Sequence, residues 1–362
     1  MLPRFVILQV IQPHYHQELA VRNMKEAEQL VTTFGGEVIE KITQHRVKPH
    51  PNLYIGEGKF EELKTSVKDK EIDVVVINSI VNSGQLFRLE KSLWAVNKRI
   101  KVWDRVDLIL HIFEQHATSI EAKLQIELAR IEHIGPRVYG LGGTVLSRQG
   151  AGIGTKGIGE TNTEIEKRII KKRKQELQKK IADRAKVQQQ RLRRRKLKGV
   201  KTVALVGYTS AGKTTLFNAL TSRKKATDQG LFTTLDSVIG KMKYTPFTDN
   251  MLVSDTIGFI DDLPTSLIET FRSTLMESLE ADILLHVIDA ADPNMEDKIT
   301  VVESILTDLN VKTSPHLVFN KSDLIDKKRL GYIKRTYVDR TIFFISAQNR
   351  DGIAELKQAV LK

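Results

Sequence analysis

Residues Gly207-Tyr208-Thr209-Ser210-Ala211-Gly212-Lys213-Thr214 carry the spacing G-x-x-x-x-G-K-[ST]. That spacing does phosphate chemistry. Glycines at both ends let the backbone curl tightly enough for its N–H groups to point at phosphate oxygens. Lys213 can reach the terminal phosphates, the hydroxyl of Thr214 can ligate Mg²⁺, and Thr215 stands beside it at the start of the next segment. The context fits as well. The apolar run Thr202–Val206 precedes the loop, and the helix-like run Thr215–Leu220 follows it. A helix there aims the positive end of its dipole at the same anion.

Three further stretches complete a nucleotide site. Asp255-Thr256-Ile257-Gly258 follows the strand-like Met251–Ser254. A carboxylate at a strand end can hold Mg²⁺ through water, and Gly258 can bring its N–H to a γ-phosphate. Asn320-Lys321-Ser322-Asp323 follows the apolar His316–Phe319. The Asp323 carboxylate can accept two N–H bonds from a guanine edge, whereas adenine offers no matching donor pair. Ser346-Ala347 follows Ile342–Ile345 and can close the base pocket with a backbone N–H. Between the first two stretches, Phe232-Thr233-Thr234 offers a second Mg²⁺-ligating hydroxyl, in a segment that the γ-phosphate would order. The expectation is a domain binding GTP and GDP, with Lys213, Thr234 and Gly258 acting on the reacting phosphate and Thr214, Thr234 and Asp255 on Mg²⁺. Phe259 follows Gly258, where small signalling GTPases place a water-orienting Gln. An apolar ring cannot orient water, so slow intrinsic hydrolysis, completed by a partner or a backbone group, is expected.

The elements that position these loops read as α/β. Apolar strand candidates before each motif predict a doubly wound sheet with ligand loops at the strand C-termini. Upstream, strands at 5–10, 37–42, 73–78 and 100–104 alternate with helical stretches at 18–33 and 84–96, which predicts a small parallel sheet. The segment His50–Lys59, with one proline and two glycines, reads as a structured loop running into a helix. From Thr118 to Ile134 the stripe Ile120, Leu124, Leu128 and Ile131 predicts a helix that stops at Gly135-Pro136. Eight glycines between 140 and 159 then form a linker carrying Arg148 and Lys156. Residues 161–198 read as a second long helix, so the pair predicts an antiparallel helical hairpin. The expected division is 1–116, an α/β subdomain; 117–198, the hairpin with its Gly-rich loop; and 199–362, the GTP-binding domain.

Charge points to a partner. The 362-residue chain has a net charge of +13. Lys167–Lys201 holds 17 Lys and Arg against Glu176 and Asp183, or +15, which leaves 13 − 15 = −2 for everything else. A basic block on a near-neutral protein fits a polyanion. Between Tyr139 and residue 200 there is no aromatic residue, so backbone and shape recognition of structured RNA fits better than base stacking. Arg148, Lys156, Arg193, Arg194 and Arg195 are the candidate contacts. The absence of cysteine excludes disulfides and thiolate metal sites. With no apolar run near the ~20 residues of a membrane span, a soluble, cytoplasmic monomer is expected.

These residues together resemble the HflX GTPases, within the translation-factor-related P-loop GTPases. The resemblance spans nearly the whole chain. It rests on Gly207-Tyr208-Thr209, Phe232-Thr233-Thr234-Leu235-Asp236 and Asp255–Ile260, and upstream on Pro51–Lys59, Asp104-Arg105, Glu121–Gln125 and Gly152–Glu160. It implies binding to the large ribosomal subunit through ribosomal RNA, stimulation of GTP hydrolysis by that subunit, and splitting or rescue of ribosomes under stress. It would make the Gly-rich loop and hairpin the RNA-contacting part. Two departures stand out. Ser210 occupies the position of an Asn that ligates an activating potassium ion in related GTPases. Ala151, Lys156 and Ile158 replace the usual Gly, Arg and Pro, and Lys keeps the charge of Arg without its bidentate grip. Two other readings are an RNA-remodelling NTPase that also uses ATP, and an RNA-binding scaffold with nucleotide as a structural ligand. The first lacks a second phosphate loop upstream; the second sits poorly with the intact Lys213, Thr214, Asp255 and Gly258.

Overall fold

The computed structural model of the protein describes residues 2–13, 16–138, 162–222, 231–232, 238–242, 251–256, 258–261, 265–271 and 280–361. It divides into two compact units, one of residues 1–115 and 124–180, the other of 116–123 and 181–362.

The first unit is built on a four-stranded parallel sheet in the order β2-β1-β3-β4. Its strands are β1 (Arg4–Ile11), β2 (Glu37–His45), β3 (Val74–Ile77) and β4 (Lys101–Asp104). Helices α1 (Gln17–Phe34), α2 (Glu57–Asp69) and α3 (Ser83–Leu93) connect them, and α4 (Arg105–His116) follows. Val74–Ile77 is buried along its whole length, as a parallel strand covered on both faces must be. Gly35 ends α1 in the left-handed conformation, with φ +91°. The next residue has to be glycine for space: a Cβ on Gly36 would sit 2.3 Å from the Phe5 ring. The loop at 50–56 hands directly into α2 at an N-cap Gly56, as expected for that Pro- and Gly-rich segment.

Two long helices follow, α5 (Ile120–Val138) and α6 (Asn162–Leu197). Sequence and structure differ at α5 in two ways. Gly135-Pro136 does not end it: the helix runs on through both residues to Val138. Ile120, at the first position, is 60% exposed; Leu128 of the expected stripe is buried, together with Ala122, Gln125, Ile126 and Ala129. Glu127 of α5 pairs with Arg173 of α6 at 2.7 Å, and Glu132 with Lys174 at 2.9 Å. Helix α4 had no counterpart in the sequence reading.

The second unit carries a six-stranded sheet in the order β10-β9-β8-β5-β7-β6. The strands are β5 (Lys201–Val206), β6 (Val238–Lys241), β7 (Met251–Asp255), β8 (Ile283–Asp289), β9 (His316–Asn320) and β10 (Ile342–Phe344). Only the edge strand β6 runs antiparallel, against β7. Helices α7 (Lys213–Leu220), α8 (Thr265–Thr270), α9 (Met295–Asp308), α10 (Lys327–Thr336) and α11 (Ile353–Leu361) complete the unit. One core gathers Val203, Leu205, Leu216, Phe217, Val287 and Leu356; another gathers Ile288, Met295, Ile299 and Phe319. Covered faces on both sides make this the doubly wound sheet expected. Among the described residues no helix is long and apolar enough to cross a membrane.

Candidate functional site

Every described motif emerges where a parallel strand ends. Strand β5 ends at Val206, and the chain turns at Gly207 into α7, whose first residue is Lys213. Gly207 lies at φ +149°, and a Cβ there would stand 2.3 Å from the Val287 carbonyl oxygen of β8. Gly212 lies at φ +91°, and its Cβ would meet the Asn320 amide at 2.2 Å. Both glycines are therefore required by contact as well as by torsion. Ser210 takes a left-handed φ of +60° and is exposed.

Lys213 is buried, and its Nζ donates to the carbonyls of Gly207 (3.0 Å) and Tyr208 (2.7 Å). Burial pulls its pKa down to about 8, with the Asp255 carboxylate pulling the other way. A cation held at this cost in a loop of N–H groups is poised for an anion. On β8 beside it, His286 is held neutral, its pKa lowered to about 3 by burial first and then by Lys213 and Arg340. A cavity of about 50 Å³ lies against Tyr208–Ala211, lined also by His286, Asp289 and Lys298.

Thr214 Oγ1 donates to Asp255 Oδ2 at 3.0 Å, joining the first motif to the end of β7. A hydroxyl and a fully buried carboxylate are hard oxygen donors, and this pair fits Mg²⁺. Gly258 lies close by: a Cβ on it would be 2.8 Å from Thr209 Cγ2 and 3.0 Å from Lys213 Nζ. Thr256 Oγ1 donates to the Leu205 carbonyl at 2.7 Å, tying the segment to β5. Phe259 is 1% exposed, so its ring belongs to the core. Its backbone pairs with the phosphate loop, accepting from Thr209 N (2.8 Å) and donating to Gly207 O (3.2 Å). The Tyr208 hydroxyl accepts from Asp261 N at 2.9 Å.

Asn320 joins the phosphate loop to the base loops. Its Nδ2 donates to the Ala211 carbonyl at 2.9 Å, and its Oδ1 accepts from Ala347 N at 2.9 Å. Lys321 stands at φ +60° and pairs with Asp289 at 2.6 Å. Asp323 lies exposed on the short 3-10 turn Ser322–Leu324. Ser346 is buried and accepts from Asn349 N at 3.2 Å.

The structure thus brings together Gly207–Thr215, Asp255, Thr256, Gly258, Asn320, Lys321, Asp323, Ser346 and Ala347 at one end of one sheet. Phe232 is buried, at φ +58°. Thr233, Thr234, Ile257, Arg148 and Lys156 lie outside the described residues. Arg193 and Arg194 are exposed on α6, and Arg195 is half-buried. The sequence reading passed over Asp289 and His286. Asp289 had a findable signal, a carboxylate at the end of an apolar run, the same signal that marks Asp255.

A nucleotide-type loop between β5 and α7, with its partner loops at the ends of β7, β9 and β10, defines a P-loop GTPase, an enzyme that hydrolyses GTP. Comparison with known proteins narrows the class. Residues 21–114 match the family model "GTP-binding GTPase N-terminal", 116–196 "GTP-binding GTPase Middle Region", and 202–321 "50S ribosome-binding GTPase". The GTPase HflX of Caldanaerobacter subterraneus subsp. tengcongensis is 41% identical over 338 residues, covering 93% of this chain and 76% of the relative. That of Escherichia coli K12 is 37% identical over 352 residues, covering 96% and 80%. The chain belongs to the HflX GTPase family. A crystal structure of a GTP-binding protein from Sulfolobus solfataricus in complex with GDP shares the fold over 99% of this chain and 97% of that one, with a TM-score of 0.52 and 23% identity.

Proposed function

We propose that this GTPase acts on the large ribosomal subunit, splitting or rescuing ribosomes, with ribosomal RNA held by α6 and the Gly-rich segment at 140–160. The observation that carries the reading is the charge of the segment Lys167–Lys201, which takes in most of α6: 17 basic against two acidic residues, with Arg193 and Arg194 exposed. A helix this cationic repels itself and is better stabilised against phosphates. The printed description of the family model over 202–321, a 50S ribosome-binding GTPase, supports the same partner. In this reading 1–116 and the hairpin 117–198 serve the partner and 199–362 the nucleotide, in the cytoplasm.

In this reading Lys213 and the N–H groups of Gly207–Thr214 hold the phosphates. Phosphate would replace the two carbonyls that Lys213 now contacts. Thr214 and Asp255, with Thr234, would hold Mg²⁺, which supplies charge neutralisation on the β- and γ-phosphates. Gly258 presents its N–H to the γ-phosphate, and Asp323, Asn320, Lys321 and Ala347 hold the guanine. With the Phe259 ring buried, no side chain at that position orients water, and intrinsic hydrolysis is slow until a partner completes the site.

The test is GTP turnover at low salt, with and without purified large subunits, repeated with Arg193, Arg194 and Arg195 changed to Glu. The expected result is strong stimulation that the triple change weakens and that rising salt removes. Turnover indifferent to the subunit would overturn the ribosomal reading and leave the GTPase itself standing.

A further inference from the structure

We propose that Asp289 is a positioning residue of the base pocket: its carboxylate anchors the ammonium of Lys321, and through Lys321 it sets how tightly a guanine nucleotide is held. The inference rests on the reading that Asn320–Asp323 hold the base. Asp289 is the last residue of β8 and stands in register with Asn320, the last residue of β9. Ala290 N donates to the Asn320 carbonyl at 2.9 Å, so the two strand ends are locked together.

The two oxygens of Asp289 have separate tasks. Oδ1 accepts from Ala291 N at 3.0 Å, a local turn that fixes the side chain. Oδ2 is thereby aimed at Lys321 Nζ, 2.6 Å away. The next cation along, Lys298, is taken up by Asp292 and by the face of the Tyr208 ring, 4.6 Å from its centroid. Asp289 thus serves Lys321 while Asp292 serves Lys298.

Lys321 needs such an anchor. It is a non-glycine residue in the left-handed region, a conformation that persists only where its surroundings impose it. This kink turns the chain from β9 into the 3-10 turn carrying Asp323. A free lysine side chain samples many rotamers. One held at both ends presents its methylene stem as a fixed apolar wall, suited to the face of a base. The side chains are 22% and 35% exposed, so the pair is partly withdrawn from water and less screened than a surface pair.

The experiment is a double-mutant cycle on release and turnover of fluorescent GDP and GTP analogues. Asp289→Asn keeps the acceptor for Ala291 and removes only the charge. It should raise the dissociation constant of both nucleotides by roughly tenfold, mostly through faster release, while kcat at saturating GTP stays unchanged. Lys321→Met should cost a similar factor, and adding Asp289→Asn to it should cost nothing more. A loss in the double variant equal to the product of the two single losses would overturn the proposal, because Asp289 would then act by another route. Asp323→Asn, measured in parallel for a shift from GTP to xanthosine triphosphate, tests the underlying base reading. If that shift occurs and Asp289→Asn, folded by circular dichroism, still binds as the parent does, only the role of Asp289 falls. If no shift occurs, both fall.

Discussion

The described residues form one parallel and one mostly parallel sheet, and what gathers at the carboxyl ends of their parallel strands is opposite in kind. In the first unit β3 and β4 lead into polar groups that pair with one another. Arg105 pairs with Glu26 at 2.5 Å, both nearly buried, and donates to Asn78 Oδ1 at 2.8 Å. At the start of α4 the backbone N–H groups of Asp104 and Asp107 each donate to the other's carboxylate, and His133 of α5 closes on Asp104 at 3.0 Å. In the second unit β5, β7 and β9 end in groups turned toward the loop space. Lys213 is held at lowered pKa against two carbonyls, and the Thr214–Asp255 oxygen pair fits a divalent cation. The same topological position serves as a closed structural clamp in one sheet and as an open ligand site in the other. What separates them is how the buried cation is met: Arg105 closes on the Glu26 carboxylate, whereas the Lys213 ammonium donates to two carbonyl oxygens.

Three measurements can break this comparison, in descending order of effect. Lys213→Ala should reduce GTP turnover to background, a loss of at least a hundredfold, with the melting of the first unit unchanged. Retained turnover would mean that the buried ammonium is structural, and the contrast would collapse. Arg105→Ala should do the converse. It leaves Glu26 buried without its partner, at a cost of about 3–5 kcal/mol to the first unit, while Lys213-dependent turnover persists. Both tryptophans, Trp94 and Trp103, lie in the first unit, so fluorescence melting follows that unit selectively.

The smallest effect concerns His111. Its ring stacks on Trp103 at 4.1 Å, and Arg130 donates to its Nδ1 at 2.7 Å, which requires the neutral form. Burial first, and then Arg130, lower its pKa from 6.5 to about 4. The unfolded chain therefore takes up a proton that the folded one refuses. This contribution is full above pH 6.5 and is lost as pH falls toward 4, by roughly 1–2 kcal/mol after allowance for partial exposure. Denaturant midpoints followed by tryptophan fluorescence at pH 7 and pH 5 should differ less in His111→Gln than in the parent. Equal differences would remove His111 from the account.

Legibility followed the range of the interactions. The phosphate loop was readable because its glycines, lysine and hydroxyl act within eight consecutive residues, and the apolar runs before it and before Asn320 announced the strands. Helix α4 was missed because Val106, Leu108, Ile109, Leu110, Ile112 and Phe113 are buried almost all round it, which leaves no polar face to set a helical period. The edge strand β6 was missed because only its antiparallel pairing with β7 defines it. The end of α5 lies beyond the expected stop: Gly135-Pro136 reads as a helix breaker from local chemistry, yet the helix continues to Val138.

By itself the sequence determined the chemical candidates: a phosphate-loop motif, an N-K-x-D motif, hard-oxygen side chains at strand ends and a concentrated positive charge. Those follow from residue type and local spacing. The tertiary structure alone decided which charges are answered within the fold. It placed Asp289 on Lys321, Glu26 on Arg105 and Asn320 between Ala211 and Ala347, partners separated by 32, 79, 109 and 27 positions. No spacing rule reaches across such intervals, because strand order and register bring those groups within hydrogen-bonding distance.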